Sequence, residues 1–167
     1  MYKRQVYVPS DKTNKTLQDA LNDEFTEGAG YDSFAVLDVD GDGKLDVVLN
    51  VTVNGEVLGY LVLTSADEVI CAYGFYYRAM IGLKEDGSFS FSSSAVESGV
   101  ATFYKDENRD AQYNELAESK LDENENVVYF VNGEAADEDA FTAVINAQSE
   151  NCLLYTSDAA DDRISVD

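Results

Sequence analysis

Nine residues, Asp38-Val39-Asp40-Gly41-Asp42-Gly43-Lys44-Leu45-Asp46, constrain this chain more than any other stretch. Apolar runs bound them, Phe34-Ala35-Val36-Leu37 before and Val47-Val48-Leu49 after. Such runs read as strands, which makes the acidic segment the turn between two neighbouring strands. Carboxylates at positions 1, 3, 5 and 9 of so short a turn repel one another strongly unless a cation sits among them. Alternate residues of a tight loop can turn their side chains to one centre. Calcium, a hard cation that takes six to eight oxygens, is the natural partner. Asp38, Asp40, Asp42 and Asp46 are the expected side-chain ligands. Lys44, at position 7, is expected to offer its backbone carbonyl while its ammonium points to water. Gly41 and Gly43 permit backbone angles that a Cβ resists.

The pattern departs from an EF-hand. Position 12 is Leu49 in place of a bidentate Glu, and the flanks are strands, not helices. A dockerin would need a second copy of the loop. The Asp-x-Asp-Gly-Asp-Gly-x-x-Asp spacing instead resembles the calcium hairpin of integrin-type FG-GAP and VCBS repeats. More widely, it is similar to secreted bacterial lipoproteins that carry one such hairpin early in a β-rich domain. The resemblance implies that the acidic positions of the loop bind calcium and that the domain is extracellular or at the cell surface. It covers about a dozen residues, and the motif occurs once, so a propeller is not implied. Affinity is expected in the weak ~10⁻⁴–10⁻³ M range of extracellular modules. The alternative is an acidic turn that binds no ion.

Both ends of the chain resemble a translated transposon-type sequencing adapter. Cys152-Leu153-Leu154-Tyr155-Thr156-Ser157-Asp158-Ala159-Ala160-Asp161 reads back as TGT CTC TTA TAC ACA TCT GAC GCT GCC GAC. Met1-Tyr2-Lys3-Arg4-Gln5 reads as the opposite strand of the same element, GTG TAT AAG AGA CAG. The expectation is that residues 1–5 and 152–167 are adapter-derived. Residues 6–151 are then one β-rich domain, cut at both sides, from a metagenomic bacterial gene.

Composition narrows the classes of partner. The chain holds 11 Lys+Arg and 33 Asp+Glu, a net charge of −22. Without the two end segments 8 basic and 29 acidic residues remain. Nucleic acid and anionic lipid both need a positive footprint, so neither is expected as a partner. No apolar run is long enough to span a membrane. The chain has no His, which removes the commonest general base. Cys71 lies in the apolar run Val69-Ile70-Cys71-Ala72-Tyr73 and reads as a buried small hydrophobe.

Along the chain, Thr13 to Phe25 reads as an amphipathic helix with Leu17, Leu21 and Phe25 on one face. Ser33 to Val39 reads as an interior strand covered on both faces. Leu45 to Val53 follows, and Asn54-Gly55 signals a tight hairpin back to Glu56–Leu63. Glu68 to Leu83 is long and aromatic, with Gly74 or Gly82 marking a bulge or bend. Strands are expected at Ser88–Ser92, Val100–Lys105 and Val127–Val131. Gln112–Leu121 reads as strand, with helix as the alternative. Asp137 can cap a final helix whose face holds Phe141, Val144 and Ile145. The expected class is α+β: one antiparallel β-meander with a helix near each end, one sheet face lying under the helices and the other without an evident cover.

Weaker candidates are an acidic turn at Asp106–Asp110, which lacks the position-6 Gly, and the loop Glu123–Asn126. The cluster Tyr73, Phe75, Tyr76 and Tyr77 could stack on a sugar or peptide but fits core packing better. The functional expectation is a non-catalytic, calcium-stabilised binding module with a protein or glycan ligand. The competing readings are an accessory fragment of a secreted enzyme and a calcium sensor or docking element.

Overall fold

The computed structural model describes residues 5–151 and 157–158. Along the chain run β1 (Gln5–Val8), β2 (Thr13–Thr16), α1 (Leu17–Glu24), β3 (Gly30–Leu37), β4 (Asp46–Val53), β5 (Glu56–Ala66) and β6 (Val69–Tyr76). Then come β7 (Phe89–Ser92), β8 (Ser98–Lys105), β9 (Ala111–Leu121), β10 (Val127–Val131), β11 (Glu134–Ala136), α2 (Glu138–Glu150) and β12 (Ser157–Asp158). They form two sheets. The larger has the order β12-β3-β4-β5-β6-β1-β2 and the smaller β11-β10-β9-β8-β7. Among the described residues, no helix is long and apolar enough to cross a membrane.

Local chemistry explains the hairpins. Asn54 (φ 51°) and Gly55 (φ 83°) both take left-handed angles, and Val53 pairs with Glu56 across them. Asn132 (φ 50°) and Gly133 (φ 78°) repeat the device between Val131 and Glu134. Positive angles at both central residues match the twist of the flanking strands. Gln112–Leu121 lies within strand β9, and Asp137 caps α2 by accepting from the Ala140 N–H at 2.8 Å.

Three local expectations are corrected. Thr13–Thr16 is not helical but strand, paired antiparallel with β1. The turn between them closes because the Val8 carbonyl accepts from the Asp11 and Lys12 N–H groups, with Lys12 at φ 58°. The helix starts after Thr16, whose hydroxyl accepts from the Asp19 N–H at 3.1 Å, and it keeps Ala20, Leu21 and Phe25 buried. The doubly covered strand is β4, with Val48, Leu49 and Val51 all buried; β3 alternates and leaves Val36 half exposed. The long run Glu68–Leu83 is strand only over Val69–Tyr76; Gly82, at φ 58°, marks a bend beyond it, and a bulge falls beside Gly59 of β5. A Cβ at Gly59 would stand 1.9 Å from the Phe75 carbonyl oxygen, so only glycine lets β5 and β6 approach there.

The single meander gives way to two sheets. β1 enters the larger one parallel to β6, with Tyr7 opposite Cys71. After β6 the chain leaves that sheet and starts the smaller one. The sheet face that the sequence left without a cover is covered by this second sheet. Leu37, Val62, Cys71, Tyr73 and Phe75 of the first pack against Phe89, Ala101 and Phe103 of the second. The Phe75 and Phe103 rings meet edge to face at 5.4 Å. The opposite face of the larger sheet packs Leu49, Val51 and Leu61 against Leu21 and Phe25, beside α1. Helix α2 leans on the smaller sheet, with Phe141 5.1 Å from Tyr129.

Of the two end segments, Gln5 opens β1, and Ser157–Asp158 pairs antiparallel with β3 at Phe34 and Ser33. The rest of residues 1–5 and 152–167 lies outside the described residues.

Candidate metal centre between the third and fourth strands

The acidic loop connects β3 to β4, as the flanking apolar runs require, and Leu37 pairs with Asp46 at its base. Val39 anchors it from within: the side chain is buried in the core between the sheets. Gly41 (φ 72°) and Gly43 (φ 84°) hold left-handed angles. A Cβ at either would meet nothing within 4 Å, so the backbone angle alone favours glycine.

The carboxylates are drawn in by the loop's own N–H groups. Asp38 Oδ2 accepts from the Gly43 N–H at 2.9 Å, Asp40 Oδ1 from the Asp42 N–H at 3.2 Å, and Asp42 Oδ1 from the Lys44 N–H at 2.8 Å. Asp46 Oδ2 accepts from the Val39 N–H at 3.0 Å. One oxygen each from Asp38, Asp40 and Asp42 can be chosen so that all three lie within 4.8 Å of one another. Asp46 is not one of that trio and is 1% exposed. Two oxygens, Asp38 Oδ1 and Asp46 Oδ1, are buried and have no hydrogen-bond partner. An unmatched buried carboxylate oxygen is costly, and a hard cation is the kind of group that satisfies it. The donor set is therefore compatible with an oxygen-ligated metal ion. The Lys44 side chain is 61% exposed, with its ammonium 3.9 Å from Asp42 Oδ2.

One contributor is absent from the sequence reading. Lys105, the last residue of β8 in the other sheet, reaches into the loop. Its ammonium pairs with Asp40 Oδ2, and with Asp42 Oδ2 at 3.0 Å, while its side chain is only 13% exposed. Burial works against this ammonium, but the two carboxylates outweigh burial and raise its pKa. Burial likewise opposes the Asp42 charge, yet Lys105 and the Lys44 N–H hold that carboxyl below its ordinary value. Asp46 goes the other way. Burial, reinforced by the charges of Asp40 and Asp42, pushes it up to about 6 against the pull of the Val39 N–H and Lys105. No local signal marks Lys105, because it ends an ordinary strand pattern 63 residues beyond Asp42.

The weaker candidates resolve into structure. Asp106 Oδ1 accepts from the N–H groups of Asn108 (2.8 Å) and Asp110 (2.9 Å), and its Oδ2 accepts from Gln112 at 3.1 Å. Asp122 binds the N–H groups of Asn124 and Asn126 in the same way. In each case the leading aspartate closes its own hairpin turn, which passes through a left-handed residue, Arg109 or Glu125. Among the described residues, Asp38, Asp40 and Asp42 form the one group of acidic side chains close enough to share an ion. Tyr73 and Phe75 are core residues, whereas Tyr76 rests on Phe25 and Tyr77 is 61% exposed. Cys71 is fully buried, and burial raises its thiol pKa.

Comparison with family models, with curated proteins and with solved structures returns no match to this chain.

Proposed function

We propose that Asp38, Asp40, Asp42 and Asp46, with the Lys44 backbone carbonyl, hold one structural calcium ion in a non-catalytic, extracytoplasmic binding module. The observation that carries the metal is the pair of buried oxygens without donors, Asp38 Oδ1 and Asp46 Oδ1, beside the trio of converging carboxylates. The loop's donors are hard oxygens, which favours a hard cation over zinc or copper; calcium among the hard cations follows from the loop's resemblance to calcium hairpins. The ion neutralises the loop and fastens β3 to β4. Placement outside the cytoplasm and a protein or glycan ligand rest on the loop's resemblance to secreted calcium hairpins.

A second reading has its own observation. Lys105 already pairs with two of the loop's carboxylates and could serve as a resident counter-ion in place of a metal.

Thermal unfolding in calcium against chelator separates the two. At ~10 mM calcium, ~10–100 times the expected Kd, stabilisation is about 1.4–2.7 kcal/mol. That corresponds to a Tm rise of several degrees. Asp38→Ala and Asp42→Ala each abolish the rise. A wild-type Tm that does not move at this concentration defeats the calcium reading and leaves the lysine counter-ion.

A further inference from the structure

We propose that Lys105 is a tethered competitor for the metal site: calcium loads the loop by displacing the Lys105 ammonium from Asp40 and Asp42, so this lysine sets the calcium concentration the domain responds to. The inference rests on the calcium reading and adds its regulation.

The oxygens of the trio decide the matter. Asp38 Oδ2, Asp40 Oδ1 and Asp42 Oδ1 each accept from a backbone N–H of the loop. Asp38 Oδ1 is without a donor. The two that remain, Asp40 Oδ2 and Asp42 Oδ2, are the two that Lys105 holds. A cation that binds all three residues through oxygens not engaged by the loop's own N–H groups takes Asp40 Oδ2 and Asp42 Oδ2 from the ammonium or shares them with it. Sharing places like charges side by side in a largely buried site, where their repulsion is poorly screened. Exchange is the arrangement that avoids this.

The ammonium has somewhere to go. An open pocket of about 470 Å³ adjoins the loop, and Lys105 lines it together with Asp67 and Glu107. Both are acidic, and neither has an ion-pair partner among the described residues. Released from the loop, Lys105 can turn toward them without crossing the core.

The exchange also has a structural side. Lys105 belongs to the smaller sheet and the loop to the larger one. Without metal, the ion pair ties the two sheets together at this edge. With metal, the loop is tied to itself. Calcium and the Lys105 contact are therefore mutually exclusive, and by linkage each weakens the other equally.

The test is calorimetric titration of calcium into the full chain as wild type, Lys105→Met and Lys120→Met. Lys120→Met makes the same change in net charge on a surface pair with Glu118. Lys105→Met is expected to bind calcium tighter than wild type by about tenfold or more. Lys120→Met is expected to match wild type. Affinity in Lys105→Met that is equal to or weaker than wild type overturns the exchange while leaving the calcium site intact. If none of the three binds calcium, the calcium reading itself fails, and the exchange fails with it. Should Lys105→Met not fold, the wild type still decides. Acetylation of Lys105 by an amine-reactive reagent, followed by mass spectrometry, should speed up several-fold on calcium addition. An unchanged rate overturns the proposal.

Discussion

Asp46 shows how a single buried charge can work against the fold that holds it. It sits 1% exposed where the loop meets β4, with one oxygen bonded to the Val39 N–H and the other without a partner. Burial pushes its pKa up to about 6, above its ordinary value of 3.8. A carboxyl raised in the folded state stabilises the fold in its protonated form, and that contribution is lost as pH rises from about 4 through about 6. Asp46→Asn keeps a carbonyl for the Val39 N–H and removes the charge. In chelator, the variant is expected to be more stable than wild type near neutral pH by about 1–3 kcal/mol, the penalty of a poorly matched buried charge. The advantage should shrink as pH falls below about 5. Urea unfolding at pH 4.5 and 7.5 measures it, and equal stability of the two proteins at pH 7.5 would contradict the assignment. The same substitution should weaken calcium stabilisation, because the group that harms the empty site is the one a cation rewards.

At the scale of elements, glycine positions separate backbone angle from space. Gly59 lies in the bulge of β5, where an added Cβ would strike the Phe75 carbonyl at 1.9 Å. Nothing there is a flexible side-chain end, so β5 and β6 must move apart. Gly82, at φ 58°, has open space around it. Substituting it meets only the left-handed penalty of about 1–2 kcal/mol. Gly59→Ala is expected to lower stability by more than Gly82→Ala, by about 2 kcal/mol or more in total, the range of forced overpacking. Chemical denaturation of the two variants ranks them, and a smaller loss at Gly59 would show that the bulge is not fixed by this close approach. Elsewhere two turns use the same device. Asp106 and Asp122 each organise a hairpin of the smaller sheet by accepting two N–H groups, which accounts for acidic residues that otherwise look like metal ligands.

For the whole molecule, the decisive feature is one core shared by two sheets. Phe75 from the larger sheet lies among Phe89, Phe103 and Tyr113 of the smaller, with ring centroids 5.4–6.4 Å apart. It is 2% exposed. Phe75→Ala should cost about 3–5 kcal/mol, the range for emptying a buried aromatic site. Because both sheets lean on it, amide exchange is expected to accelerate in β5–β6 and β8–β9 together. Acceleration confined to one sheet would show that the two unfold independently. The acidic loop lies at an edge of this shared core. Val39 enters it from one sheet, and Lys105 reaches the loop from the other.

Much of this was legible in the sequence, and for a common reason. The loop, its four aspartates, both Asn-Gly hairpins and the Asp137 cap depend on residues within about ten positions of each other, where spacing and backbone preference decide the geometry. The turn of Asp38–Asp46 could be placed between strands because apolar runs flank it. What tertiary structure alone decided lies between residues far apart. The division into two sheets depends on which apolar faces meet, and alternating residues look alike whichever sheet receives them. The parallel entry of β1 beside β6 leaves no mark on either strand. The helix expected from Thr13 lost its first turn to a strand partner, since a preference of a few tenths of a kcal/mol per residue yields readily to pairing. Lys105 is the plainest case. A lysine at the end of a strand has no special chemistry until the fold brings two aspartates from the other sheet to its ammonium.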